Sequence, residues 1–313
     1  MPRFAVLSCS LLAGLIGAEL LLRTIAPYRG HHAGRELTDL RHSGKNRADL
    51  FVIDERMGFR PRLPSPVYSE FGTLRNTYPL KKQAGRARVL FVGDSVTARG
   101  RIVAALRRRY GDQQFEYWNA GVESFNTVQE LMYYKLFNCR IHPDHIVLQF
   151  HLNDFETTPV SFLDHDGGLV VYSPNCPNRE INRYLFEHFH LYRLYVGLTT
   201  RQDPAFHRIA GEVQEALKQF REVAKPADLT VMIFTYLKPE EQWSPREKLE
   251  YAEIRRILAE LQIRHFDLKP LALAAARDGI PLQETAGDTW HPNDQFADYV
   301  ATRLCQEHLL QVR

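Results

Sequence analysis

The stretch Ala87–Gly100, ARVLFVGDSVTARG, decides the fold. Val89-Leu90-Phe91-Val92 is wholly apolar and rich in strand-forming residues, the pattern of a strand buried on both faces. Gly93 permits a sharp reversal, and Asp94 and Ser95 follow at the C-terminal end of that strand. After Gly100 the spacing turns helical: Ile102, Val103, Leu106 and Tyr110 share a face, and Arg101, Arg107, Arg108 and Arg109 lie largely elsewhere. Open α/β sheets hold their ligands at such a strand–loop–helix switch. Read alone, Asp94 and Ser95 fit the start of a turn and the cap of a helix equally well.

The same alternation continues on either side. Phe115–Asn119, His145–Phe150, Leu229–Thr235 and Ile263–Leu268 read as further strands. Helical spacing runs through Thr127–Phe137, Ile209–Val223, Pro245–Leu261 and Asp294–Leu309. Strands alternating with helices imply a three-layer α/β/α sandwich on a mainly parallel sheet. Between them, residues 157–204 break the rhythm as an insertion. It holds a hairpin over Leu163–Tyr172 with a Gly-Gly turn, then one helix over Ile181–Leu198. Such an insertion suits a wall or lid over a site. His188 and His190 fall on different helix faces, so no metal site is expected there.

With 313 residues, 44% of them apolar and 25% charged, the composition is that of a globular protein. A net charge of +3 gives no electrostatic reason to expect nucleic acid. The cysteines, Cys9, Cys139, Cys176 and Cys305, lack metal-ligand spacing, and they leave the redox compartment open.

Phe4–Leu22 is apolar except for small residues and Glu19, and is long enough to span a bilayer. No small-x-small cleavage site closes it, which favours an uncleaved signal anchor over residues 1–26. Glu19 stands four before Arg23, a helical pairing distance. Arg3 precedes the span, whereas Arg23, Arg29 and Arg35 follow it, so a plain count of basic residues puts the large C-terminal part in the cytoplasm. Residues 27–86 are polar and rich in Pro and Arg, reading as a stalk and partial cover with short strands near Asp54–Arg60. The main domain is then 87–313.

Three later stretches match Ser95 in kind. Asn119-Ala120-Gly121-Val122 ends the second strand, where a glycine lets backbone N–H groups approach a substrate. His151-Leu152-Asn153-Asp154 ends the third, where Asn153 can aim an amide into the crevice that Ser95 faces. Near the C-terminus, Asp288 and His291 lie three apart in a loop, close enough for the carboxylate to hold the imidazole. His291 Nε2 is then free to take a proton from Ser95, the base that a serine nucleophile needs. Each stretch alone reads as a turn or a surface histidine.

In order and spacing, Gly93-Asp94-Ser95, Asn119-x-Gly121, Asn153-Asp154 and Asp288-x-x-His291 together resemble the four blocks of the SGNH (GDSL-type) hydrolase family. The resemblance runs from Val89 to the C-terminus and implies that family's α/β/α fold behind a single membrane helix. It implies Ser95 as nucleophile, His291 as general base and Asp288 as its orienting partner. The oxyanion hole it implies is the Ser95 N–H, the Gly121 N–H and the Asn153 side-chain amide. The nucleophile block is not the G-x-S-x-G elbow of α/β-hydrolases. Two positions depart from the pattern: Val96 replaces leucine, and His151 replaces a glycine two residues before Asn153, where a bulky ring narrows the site or alters its backbone.

The activity so implied is that of a serine esterase or O-acyltransferase working through an acyl-enzyme. Its expected substrate is O-acetyl groups of envelope or exopolysaccharide glycans, with the domain on the extracytoplasmic side. No cofactor or metal is expected. The same apparatus suits a lipid esterase or thioesterase, and a non-catalytic glycan-binding component of an envelope complex is the alternative of another class.

Overall fold

The computed structural model describes residues 2–25, 38–39, 50–163, 169–172, 182–199 and 206–310. In chain order its elements begin with helix α1 (Pro2–Ile25) and strands β1 (Thr38–Asp39), β2 (Phe51–Asp54), β3 (Gly58–Pro61) and β4 (Ala87–Gly93). Next come α2 (Ser95–Arg99), α3 (Arg101–Tyr110), β5 (Phe115–Asn119), α4 (Thr127–Leu136), β6 (His145–His151), β7 (Val160–Leu163) and β8 (Leu169–Tyr172). The remainder is α5 (Arg183–His188), α6 (His190–Thr199), α7 (Phe206–Ala224) and β9 (Asp228–Phe234). α8 (Pro245–Glu260), β10 (His265–Asp267), α9 (Lys269–Arg277) and α10 (Asp294–Gln306) complete it.

The chain folds as two compact units, Met1–Arg60 with Thr157–Arg208, and Pro61–Glu156 with Ile209–Arg313. The second is built on a five-stranded sheet in the order β10-β9-β6-β4-β5, parallel throughout. Phe91 of β4 pairs with Asn119 of β5 on one side and Val147 of β6 on the other. Alternation along each strand sends Val89, Phe91, Tyr117, Val147 and Met232 into one core with Ile102, Leu106, Phe296 and Val300 from α3 and α10. The other face is covered by α4 and α7, where the Tyr134 and Phe220 rings meet at 5.0 Å, with α8 bonded to α7 through Gln214 and Glu260 at 3.0 Å. The result is a three-layer α/β/α sandwich. Winding passes from β4 outward to β5 and then back across to β6, so the strand order reverses at β4 and β6. That reversal opens a crevice beyond their C-terminal ends.

Residues 61–86, expected as part of a stalk and partial cover, fall in the same compact unit as this sandwich, where electrostatics ties them to β4. Arg88 is fully buried against Glu116 at 2.8 Å. Three of its remaining guanidinium N–H groups donate to the carbonyls of Pro79, Leu80 and Ile141 at 3.0, 2.6 and 2.7 Å. A buried cation requires such saturation, and the chain before β4 supplies much of it.

In the first unit, β7 and β8 form the expected antiparallel pair, and β1 joins β8. The expected Gly-Gly turn and Cys176 lie outside the described residues. The single helix expected over Ile181–Leu198 is instead two, because Phe189 is extended (φ −123°, ψ 115°). Glu19 of α1 explains the break. Its carboxylate accepts the His190 and Leu191 N–H groups at 3.0 and 2.9 Å, capping the start of α6, and also Arg23 Nε at 2.9 Å. By length and composition α1 can cross a membrane.

Candidate active site

Ser95 opens α2 directly beyond β4, with Asp94 as the N-cap residue accepting the Val96 N–H at 2.9 Å. The start of a helix leaves its first N–H groups without intrahelical partners, and Ser95 N–H is the first of them. The turn is tight. A Cβ on Gly93 would sit 2.1 Å from Thr97 Oγ1, so only glycine fits.

His291 reaches Ser95 from the loop before α10, 196 positions along the chain, with Nε2 2.9 Å from the serine Oγ. Its Nδ1 lies 2.9 and 3.1 Å from the two carboxylate oxygens of Asp288. Nδ1 therefore carries the hydrogen, and Nε2 presents a lone pair to the serine hydroxyl. Asp288 Oδ1 also accepts the Trp290 and His291 N–H groups, at 2.9 and 3.1 Å. Partial burial alone would raise the Asp288 carboxyl, but these N–H donors and the imidazole together hold it below the usual carboxylate range.

The loop that carries His291 is braced from both sides. Leu237 N–H, just beyond β9, donates to Thr289 O at 2.8 Å. Glu284 N–H donates to His291 O at 2.9 Å, and the Glu284 carboxylate is gripped by Arg99 of α2 and by Arg101 of α3 at 2.6 Å. The helices that follow β4 are thus ionically tied to the loop that carries His291. Glu284, Asp288 and His291 lie close enough together to resemble a cation site, but Arg99 and Arg101 already neutralise Glu284.

Asn153 follows β6 and donates from Nδ2 to Asp94 Oδ2 at 3.3 Å, which puts its amide beside the Asp94–Ser95 turn. Gly121, expected as an oxyanion donor, is also near. Its N–H donates to Asn119 Oδ1 at 2.8 Å, so in this structure that donor is engaged within its own loop. Glycine is required at 121 for packing: an added Cβ would lie 2.2 Å from Ala98 N in α2. Asn119 completes the clamp by donating from Nδ2 to Thr97 O at 2.7 Å. Three residues on, Ser124 takes φ 62° in a turn closed by Phe125 N–H to Val122 O at 3.2 Å. A serine with positive φ has no signal in the sequence, since glycine or asparagine usually marks such a turn.

Under the site lies a buried polar layer that sequence patterning does not reveal. Thr97 Oγ1 donates to Gln149 Oε1 at 2.6 Å, and Thr127 Oγ1 to Asp154 Oδ2 at 3.0 Å. Burial pushes Glu130 and Asp154 well above the ordinary carboxyl range, and the Asp94 carboxylate adds to both shifts. Around His151, the rings of Trp290, Tyr236 and Phe234 pack at 5.1, 5.4 and 5.7 Å.

No family model and no curated protein matches this chain. Among solved structures, the acetyl xylan esterase AlAXEase shares 14% identity at a TM-score of 0.47, over 70% of this chain and 98% of its own. LAE5, an α/β hydrolase enzyme from the metagenome of Lake Arreo, shares 14% at 0.48, over 74% and 99%. An acetylxylan esterase from Geobacillus stearothermophilus shares 15% at 0.47, over 74% and 99%. Likeness of this degree is no guide to activity, and the functional reading stands on the site itself.

Proposed function

We propose that this chain is an SGNH-type serine esterase or O-acetyltransferase that works through an acyl-enzyme on Ser95. The observation that carries the reading is the unbroken line from Ser95 Oγ through the His291 imidazole to Asp288, with 2.9 Å at each step. Binding alone has no need of a hydroxyl aligned on an oriented base. The ordered blocks around Ser95, Gly121, Asn153 and His291 support the same family.

In this reading Ser95 Oγ attacks the ester carbonyl as its proton passes to His291 Nε2. Asp288 holds the imidazole and stabilises the imidazolium. The oxyanion of the tetrahedral intermediate takes hydrogen bonds from Ser95 N–H and Asn153 Nδ2, donors preset before charge develops. His291 then gives the proton to the departing alkoxide, leaving acyl-Ser95. Water or a sugar hydroxyl, deprotonated by the same imidazole, resolves it. Acetylated envelope or exopolysaccharide glycans are the proposed substrates, with α1 as anchor and the sandwich on the extracytoplasmic side.

The test is p-nitrophenyl acetate turnover beside fluorophosphonate labelling of the full chain, with Ser95→Ala and His291→Ala as controls. Both signals should vanish in Ser95→Ala while its melting temperature is kept. Full activity in that variant removes the mechanism, and saccharide affinity without any labelling would favour a binding component.

A further inference from the structure

His151 closes β6 and is fully buried, yet nothing in the reaction as written uses it. Its Nδ1 is 2.9 Å from Asn153 Oδ1, and Asn153 in turn meets Asp94 Oδ2 through Nδ2 at 3.3 Å. Two hydrogen arrangements fit these positions. In one, Asp94 accepts from Asn153 Nδ2, Oδ1 faces the imidazole, and Nδ1 must carry the hydrogen that joins them. In the other the amide is reversed and donates to a bare Nδ1, which also takes the Asn153 N–H at 3.3 Å. That arrangement sets the amide oxygen against the Asp94 carboxylate. It also leaves a hydrogen on Nε2, a buried atom with no partner among the described residues. Each arrangement gives up one donor contact: Nε2–H in the second, and in the first the Asn153 N–H loses its 3.3 Å contact with Nδ1. The repulsion of two facing acceptors arises in the second alone, and it selects the first.

We propose that His151, as the neutral Nδ1–H tautomer, is a positioning residue that orients the Asn153 amide, keeping its N–H groups toward the Asp94–Ser95 turn. The inference deepens the proposed function, because it rests on Asn153 serving as an oxyanion donor. The ring is held for this task. It stacks on Trp290 of the base loop with planes 24° apart and on Phe234 at 29°, and meets Tyr236 edge-on. Burial lowers its basicity and so does nearby His291, against the opposing pull of Asp94 and of the bond to Asn153. With a neutral ring, Nδ1–H meets Asn153 Oδ1 at 2.9 Å, and a reversed Asn153 amide would lose that bond.

Two measurements decide it. Long-range 15N–1H spectra of the histidine-labelled full chain in detergent, with His151 assigned by the signals lost in His151→Asn, should show a neutral Nδ1–H ring at pH 7. An Nε2–H or charged ring overturns the proposal, whatever the enzyme does. In turnover, His151→Phe keeps a ring but no donor and should lower kcat roughly 10–100-fold, part of the loss expected for a missing oxyanion donor, with KM within about twofold. His151→Asn keeps a donor at the Nδ1 position and should retain kcat within about fivefold. In an Asn153→Ala background, His151→Phe should cost less than about twofold more. Equal losses in both backgrounds would mean a merely structural role and overturn the proposal. Activity surviving in Ser95→Ala would instead remove the catalytic reading and leave the tautomer result to decide alone.

Discussion

Gly121 shows how one residue type can serve two different ends. A glycine after a strand suggests an exposed N–H for substrate, whereas here its missing Cβ lets the β5 loop lie on the backbone of α2. The two roles separate experimentally. Gly121→Ala keeps the N–H but drives a methyl to 2.2 Å from Ala98 N, so α2 and Ser95 must move. We expect a loss of about 1–3 kcal/mol in stability from overpacking, read by denaturant unfolding, with a parallel fall in Ser95 labelling. Unchanged stability and labelling would show that the loop yields freely. Asn119 is the partner that makes this arrangement work, since one side chain engages both the Gly121 N–H and the Thr97 carbonyl.

Among the elements, α8 carries a pH-dependent contribution. Glu250 is buried beside Arg246 Nε at 2.6 Å, and burial pushes its carboxyl up to about 7 even though Arg246 pulls the other way. The folded state therefore binds this proton more tightly than the unfolded chain, whose value is near the ordinary 4.5. The associated stability is complete below pH 4.5 and is lost as pH rises through about 7. Glu250→Gln removes the titration, so the fall in melting temperature between pH 5 and pH 8 should flatten in that variant. An unchanged slope would place the pH sensitivity elsewhere. The break between α5 and α6 also belongs to this scale. Apolar and aromatic spacing runs unbroken through Phe189, and the reason for the break lies on α1, where Glu19 caps α6 from 171 residues away. Helix α9 gives little sign of itself in the sequence, because an alanine-rich segment such as Leu271–Ala276 has little periodic contrast.

At the scale of the whole molecule, α1 as a signal anchor leads to a fractionation result. The full-length chain should stay in the membrane pellet through alkaline carbonate extraction. Recovery in the soluble fraction, at full or shortened length, would remove the anchor reading. The sheet is legible in the amino-acid sequence, because strands buried on both faces of a parallel sheet read as plain apolar runs, as Val89–Val92 and Ile146–Leu148 do. The residue identities of the candidate site are legible too. Ser95, Asn153 and His291 are polar groups placed at the ends of such runs or beside a helix start, and that is local information. Their other contacts are not. The turning of Gly121 N–H onto Asn119, the bracing of Glu284 by Arg99 and Arg101, and the contact of His151 with Asn153 arise in three dimensions. Hydrophobic period and strand-end polarity are local, so the order of amino acids alone marks which segments become strands and helices and which side chains could do chemistry. Strand order, and which donors face the crevice or are already bonded, belong to the folded arrangement, because a hydrogen bond depends on direction as well as on residue type.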